Sequence, residues 1–260
     1  MTKSYIKDFD IVFLIAFPLV AAFLTRFFLL NYTVSILLFF GAPSLYLSIR
    51  RPLIIKKTLI FTALFLVPLV VIIDYLAFAD FTWFVPNSIF RFLSNSIPIE
   101  DVLWSALWLY FGVAFWEYFL ERSKVKEKMG KRTKDLVMVL IGLLSLFFLA
   151  YFSNRDLLTW NYAYLKIGLV FVIIPIAATL FKFPRLIRKV SIIGAYFFFV
   201  SALEEYVSIK GGHWFFGGTH YLGLINYGGQ PIAIEEIIFF WALAIPGVIC
   251  WYEFFVDDGK

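Results

Sequence analysis

The chain of 260 residues is 62% hydrophobic and 21% aromatic, with 16% charged residues and a formal net charge of +5. A mean hydropathy of +0.87 excludes an ordinary soluble domain. The lone cysteine, Cys250, excludes an intramolecular disulfide and any multi-cysteine metal or iron–sulfur site.

A helix needs about 20 mainly apolar residues to cross the ~30 Å hydrocarbon core. Eight segments meet that demand, at about 11–30, 33–49, 57–79, 98–120, 135–153, 162–181, 188–209 and 232–255. The pattern predicts an all-α, polytopic membrane helical bundle. The opening MTKSYIKDFD carries both charge signs and no small-residue cleavage site follows it, so a retained first helix is expected. With that end cytoplasmic, Arg50, Arg51, Lys56, Lys57, the run RSKVKEKMGKRTK, Lys182, Arg185, Arg188 and Lys189 all fall inside. Arg26, Arg91, Arg155, Lys166 and Lys210 fall outside. The positive-inside rule then predicts a cell-membrane protein with both termini cytoplasmic. Anionic lipid is sufficient counter-charge for the basic run, and no nucleic acid is implied.

That run, residues 122–134, divides the eight segments into two sets of four, 1–121 and 135–260. Asp74 and Trp83 in DYLAFADFTW are spaced as Glu205 and Trp214 are in EYVSIKGGHW, the pairs being 131 residues apart (205 − 74). Glu100, Asp101, Trp104 and Trp116 correspond to Glu235, Glu236, Phe239 and Trp251 at 135 (235 − 100). Four helices per copy is an even number, so the expectation is a tandem parallel repeat about an axis along the membrane normal. Both sets of acids and tryptophans then meet near the outer leaflet, around one cleft.

Charged groups at membrane depth are costly and face a bundle interior or a wet cavity. Asp74, Glu100, Asp101, Glu204, Glu205, Glu235 and Glu236 are many to accommodate. The plain reading of Glu100 and Asp101 is a helix start: Pro98 suits the first turn, and acids there meet the positive end of the helix dipole. The same pair in both halves points further. Adjacent carboxylates repel, so one holds a proton more readily than its neighbour, the division of labour that acid–base chemistry requires. Neighbours on a helix point about 100° apart, so one of each pair is expected to face the cleft. Trp104 and Phe239 lie on the same helix face as the acids, and Trp83 and Trp214 come from the loops. Interfacial belts are the commonest place for tryptophan. In a cleft, however, each ring stabilises a cation by ~0.5–2 kcal/mol, and acids among aromatic walls suit the making and control of a carbocation.

These residues resemble the lycopene cyclase domain family of heterodimeric and fused membrane carotenoid enzymes. Its motif, Pro-x-Glu-(Glu or Asp)-x-x-Phe at the head of a membrane helix, is matched by PIEDVLW from Pro98 to Trp104 and by AIEEIIF from Ala233 to Phe239. Trp104 stands for the family's Phe and Ala233 for its Pro. Trp214 and Gly223 match a Trp-x(n)-Gly loop. The likeness covers roughly 74–104 and 205–241 and implies a redox-neutral isomerisation. An acid protonates the terminal double bond of an acyclic carotenoid, the neighbouring double bond closes a six-membered ring, and a base removes a proton. It implies Glu100 and Glu235 as acid and base, Asp101 and Glu236 as tuning partners, no cofactor, and as partners the carotenoid, membrane lipid and other carotenoid-pathway enzymes. Two other readings stand beside it: a proton-coupled transporter hinged at Pro18, Pro43, Pro68, Pro175 and Pro246, and a carotenoid-binding protein without turnover. His213 and His220 match no common metal-ligand spacing.

Overall fold

The computed structural model describes residues 3–121 and 130–256, with side chains from Asp8 onward. Residues 122–129 of the basic linker lie outside the described residues. The fold is all-α, as expected, and eight helices are long and apolar enough to cross a membrane: α1 (Asp8–Phe27), α2 (Tyr32–Arg50), α3 (Pro52–Ala79), α4 (Ile99–Leu120), α5 (Thr133–Ser153), α6 (Ala163–Lys182), α7 (Pro184–Gly211) and α8 (Glu236–Phe255). The bundle is an integral membrane protein by length and apolarity of these helices. Helices α4 and α8 form its centre, with 61% and 56% of their apolar stretches buried, against 22% for α5 and α6. Close packing of α8 depends on small residues, as in membrane bundles generally. A Cβ on Gly112 of α4 would lie 2.5 Å from the Ile245 side chain, and one on Gly194 of α7 would lie 3.1 Å from Pro246.

The spanning helices are not uniform. Wider, π-helical turns occupy Leu37–Gly41, Leu69–Asp74, Trp116–Leu120, Gly168–Ile173 and Glu236–Ala244. A proline has no N–H to donate and its ring collides with the carbonyl four residues back. The turn before it relaxes by widening. Pro43, Pro175 and Pro246 each follow such a turn within two residues, and Pro68 immediately precedes one. Beside Pro43, Pro68, Pro175 and Pro246 the widened turns carry side chains off the regular helical stripe, whereas Pro18 lies within a regular helix.

At one end of the bundle the connections form a tied cap. Phe84 and Phe215 exchange both backbone hydrogen bonds at 3.0 Å, an antiparallel bridge between residues 131 apart (215 − 84). Each acid-bearing helix of the central pair is entered through a hairpin, β1 (Arg91–Phe92) with β2 (Ile97–Pro98) before α4, and β3 (Leu224–Tyr227) with β4 (Gln230–Ala233) before α8. Gly228 and Gly229 turn the second hairpin with φ of 59° and 86°, the left-handed pair that a two-residue turn matching strand twist demands. Asp80 ties further loops together, accepting from Ala163 N at 3.0 Å and pairing with His220 Nδ1 at 2.7 Å.

The opposite end is locked by buried charge. Lys57 pairs with Glu117 at 3.1 Å, and Tyr252 donates to the same carboxylate. Trp116 donates to Glu253 at 2.7 Å. Two adjacent residues of α4 and two of α8 therefore exchange hydrogen bonds crosswise. Asp10 gathers Tyr46, Arg50 and Tyr118. In an apolar surround each charge must be paired to be tolerated.

Candidate functional site

Beneath the cap lies a cavity of about 160 Å³. Its wall draws on α3 (Phe65, Leu69, Ile73, Asp74), α4 (Asp101, Trp104, Ser105, Trp108), α6 (Tyr164, Ile167, Gly168, Phe171, Val172) and α8 (Glu236, Phe239, Phe240, Ala244, Val248). Tyr32, Trp83, Val85 and Trp214 complete it toward the cap. The wide turns place much of this lining: Asp74 closes one, Gly168 opens the next, and Glu236 opens the longest. Gly168 is needed as glycine, because a Cβ there would overlap the ring of Phe239.

One acid of each pair lines the cavity, as helical geometry requires of neighbours. Asp101 and Glu236 do; Glu100 and Glu235 point into the cap. Glu100 accepts from Ser88 Oγ at 2.5 Å and from Ile89 N at 2.9 Å, and Glu235 accepts from Leu222 N at 2.6 Å. Both carboxyls tether the loop that precedes their helix. Asp74 lines the cavity, whereas Glu205 does not. Glu205 is fully buried beside Glu204 in α7. Among the expected aromatics, Trp83, Trp104, Trp214 and Phe239 all line the cavity.

Glu236 is the most constrained of the three lining acids. Tyr164 donates its hydroxyl to Glu236 Oε2, and Trp83 packs edge-on against the Tyr164 ring at 5.4 Å. Glu236 Oε1, Asp101 Oδ2 and Asp74 Oδ2 have no hydrogen-bond partner among the described residues. Acceptor atoms in a dry wall are costly unless something meets them. The rest of the surface is aromatic. Trp104 and Trp108 stack at 5.2 Å, and Phe240 lies 5.0 Å and 5.6 Å from them. A smaller void of about 10 Å³ adjoins on the α4 side, sharing Asp74 and Asp101 and adding Arg91 and Ser96.

The cap chemistry outside the spans is equally definite. Burial pushes the Tyr221 hydroxyl up to about 12; it donates to Thr82 O at 2.5 Å and accepts from Gly218 N at 3.0 Å. Burial lowers His213, offset by its bond to the Leu30 carbonyl, so the ring is neutral near pH 7. Among the described residues no group of three or more His, Cys, Asp or Glu is placed to hold a metal ion.

Sequence reading did not single out Tyr32, Ser105, Trp108, Tyr164 or Gly168. Trp108 carried a usable signal, standing four residues after Trp104 and so on its face. Tyr164 carried none, because its partner is in another helix 72 positions away. No family model, curated protein or solved structure matches this chain. The bundle and its cavity are compatible with binding a lipophilic small molecule.

Proposed function

We propose that the protein closes a six-membered ring at the end of an acyclic, lycopene-type carotenoid, without net oxidation or reduction. The observation that carries this reading is the cavity itself, a largely aromatic pocket whose acidic groups are Asp74, Asp101 and Glu236. Its 160 Å³ suits an end group and not a whole chain, since a dry cavity of ~150 Å³ holds one benzene. The motifs PIEDVLW and AIEEIIF support the same reading through their likeness to the lycopene cyclase domain, and the two halves are proposed as tandem four-helix copies of it.

The roles follow from position. Asp101 and Glu236 touch the substrate and serve as acid and base. One gives a proton to a carbon of the terminal double bond, leaving a tertiary cation. The π electrons of the next double bond form the new C–C bond and move the cation into the ring, and the other acid takes a ring-adjacent proton as the final double bond forms. Trp83, Trp104, Trp108 and Trp214 offer ring faces to the cation. Glu100 and Glu235 are positioning residues that hold the cap. Tethering by the basic linker and cytoplasmic termini, as charge asymmetry implies, would put this cavity near the outer leaflet.

Expression in a lycopene-accumulating bacterium, with the pigments separated by chromatography, tests the proposal. Cyclic carotenoids are the expected product. Unchanged lycopene would overturn it, and lycopene that co-purifies unchanged would favour a binding protein instead.

A further inference from the structure

A carboxyl buried in a membrane bundle needs a route to water to exchange its proton, and the second half of the chain holds a hydrogen-bonded series of groups that no role above uses. Glu204 lies one turn before Ser208 on α7, and Ser208 Oγ reaches Glu204 Oε1 at 2.7 Å. His213, past the helix end, places Nδ1 3.4 Å from the same hydroxyl and Nε2 3.0 Å from the Leu30 carbonyl. A carbonyl only accepts, so Nε2 carries the hydrogen of the neutral ring. Nδ1 is then a bare lone pair facing Ser208, and the hydroxyl has a base on one side and a carboxyl on the other.

The inner end of this chain is the Glu204 carboxyl. Glu204 is buried on α7, which packs against α8, and the Tyr32 ring, which lines the cavity, packs 5.4 Å from that of His213. At its outer end His213 adjoins exposed Gly211, Gly212 and Asn31. The corresponding positions in the first half, 131 residues earlier, are Ile73, Ala77 and Thr82, which can build no such chain.

We propose that Glu204, Ser208 and His213 form a proton relay between the buried Glu204 carboxyl and the water outside the cap. Outward, the Glu204 carboxyl proton passes to Ser208 Oγ as the Ser208 proton passes to His213 Nδ1, and the imidazolium, once Nε2–H leaves the Leu30 carbonyl, releases that proton to water; inward transfer is the reverse. No bond to carbon changes and no co-reactant is needed. The relay goes beyond ring closure, since it concerns proton exchange at Glu204, which has no part in that reaction.

Infrared spectroscopy of the protein in phosphatidylcholine bilayers, followed after transfer from H2O to D2O, reads the relay without substrate. The Glu204→Gln variant identifies the carboxylic C=O band belonging to Glu204. In the wild type that band shifts promptly; Ser208→Ala and His213→Phe are each expected to slow the shift at least tenfold, and Ser208→Thr, which keeps the hydroxyl, to restore it. Unchanged exchange in Ser208→Ala, slowed exchange that Ser208→Thr fails to restore, or no band lost in Glu204→Gln would overturn the proposal. Because no carotenoid is present, these results are independent of whether the protein forms rings.

Discussion

Exchanging Glu235 and Glu236 in turn for glutamine separates two adjacent carboxyls by role. In Glu235→Gln the amide oxygen can still accept from Leu222 N, now at 2.6 Å, so the variant loses charge assistance and not the bond. A hydrogen bond to a charged group contributes ~1.5–3 kcal/mol and a neutral one ~0.5–1.5 kcal/mol. The difference of about 1 kcal/mol corresponds to less than tenfold in rate even if all of it reaches the transition state. In Glu236→Gln the hydrogen bond from Tyr164 can also survive, yet the group facing the cavity can no longer exchange a proton. Loss of a general acid or base costs about 10²–10⁴-fold, roughly 2.7–5.5 kcal/mol of barrier. The assay is the initial rate of cyclic carotenoid formation in membranes matched for protein content. Full activity in Glu236→Gln, or a loss in Glu235→Gln as large as that expected of Glu236→Gln, would refute the assignment of roles. The pair Glu100→Gln and Asp101→Asn should divide in the same sense.

Three further outcomes follow from the same geometry. Tyr164→Phe removes the hydrogen bond that Tyr164 donates to Glu236 Oε2; kcat should fall about tenfold or more with KM near the wild-type value, and an equal rise in KM would place Tyr164 in substrate binding instead. Gly168→Leu drives a side chain into the Phe239 ring and the cavity, and overpacking of this kind costs about 1–3 kcal/mol; carotenoid binding, measured by pigment retained on purification, should be lost while the protein stays in the membrane. His213 is held below the ordinary histidine value by burial. Its unfolded state therefore binds the proton first, so the stability it contributes is present above pH ~6.5 and is lost as pH falls through the folded-state value. Melting of the purified protein across that window should be steeper in pH for the wild type than for His213→Phe, and equal slopes would contradict the burial argument.

The eight spans were legible because membrane crossing imposes a length and an apolarity that local sequence must supply. The acids were legible as anomalies for the same reason: Asp74, Asp101 and Glu236 stand out wherever apolar residues are the rule. What local sequence could not supply was direction. Glu235 and Glu236 are identical side chains one residue apart, and which of them meets the cavity depends on the phase of α8, set by the hairpin before it and the wide turn that Pro246 forces. The family likeness pointed to the first acid of each pair as the reacting group, whereas the second acid is the one in the cavity wall. The Tyr164 contact and the void beside Gly168 arise between helices distant in sequence, so no spacing rule reaches them.

Each acid pair sends one member, Asp101 or Glu236, to the same cavity. With the halves taken as tandem copies, Gly168 of α6 stands where α2 has Leu37 and Ser105 of α4 where α8 has Phe240, by the offsets of 131 (168 − 37) and 135 (240 − 105). The open volume therefore lies where the small residues are, beside α3 and α6. On the counterpart side Phe39 and Phe40 are fully buried, and Phe40 packs edge-on against Trp104 at 5.8 Å. Glu205, the counterpart of Asp74, is sealed from the cavity. Under the proposed reading, each half supplies one acid, Asp101 and Glu236, to the same end-group site. A carotenoid whose two ends are both to be closed must leave and return reversed, so the monocyclic product should accumulate before the bicyclic one in a time course from lycopene. Bicyclic product from the earliest points, with no monocyclic precursor that can be chased into it, would mean that the two ends are closed without release and that a second site exists.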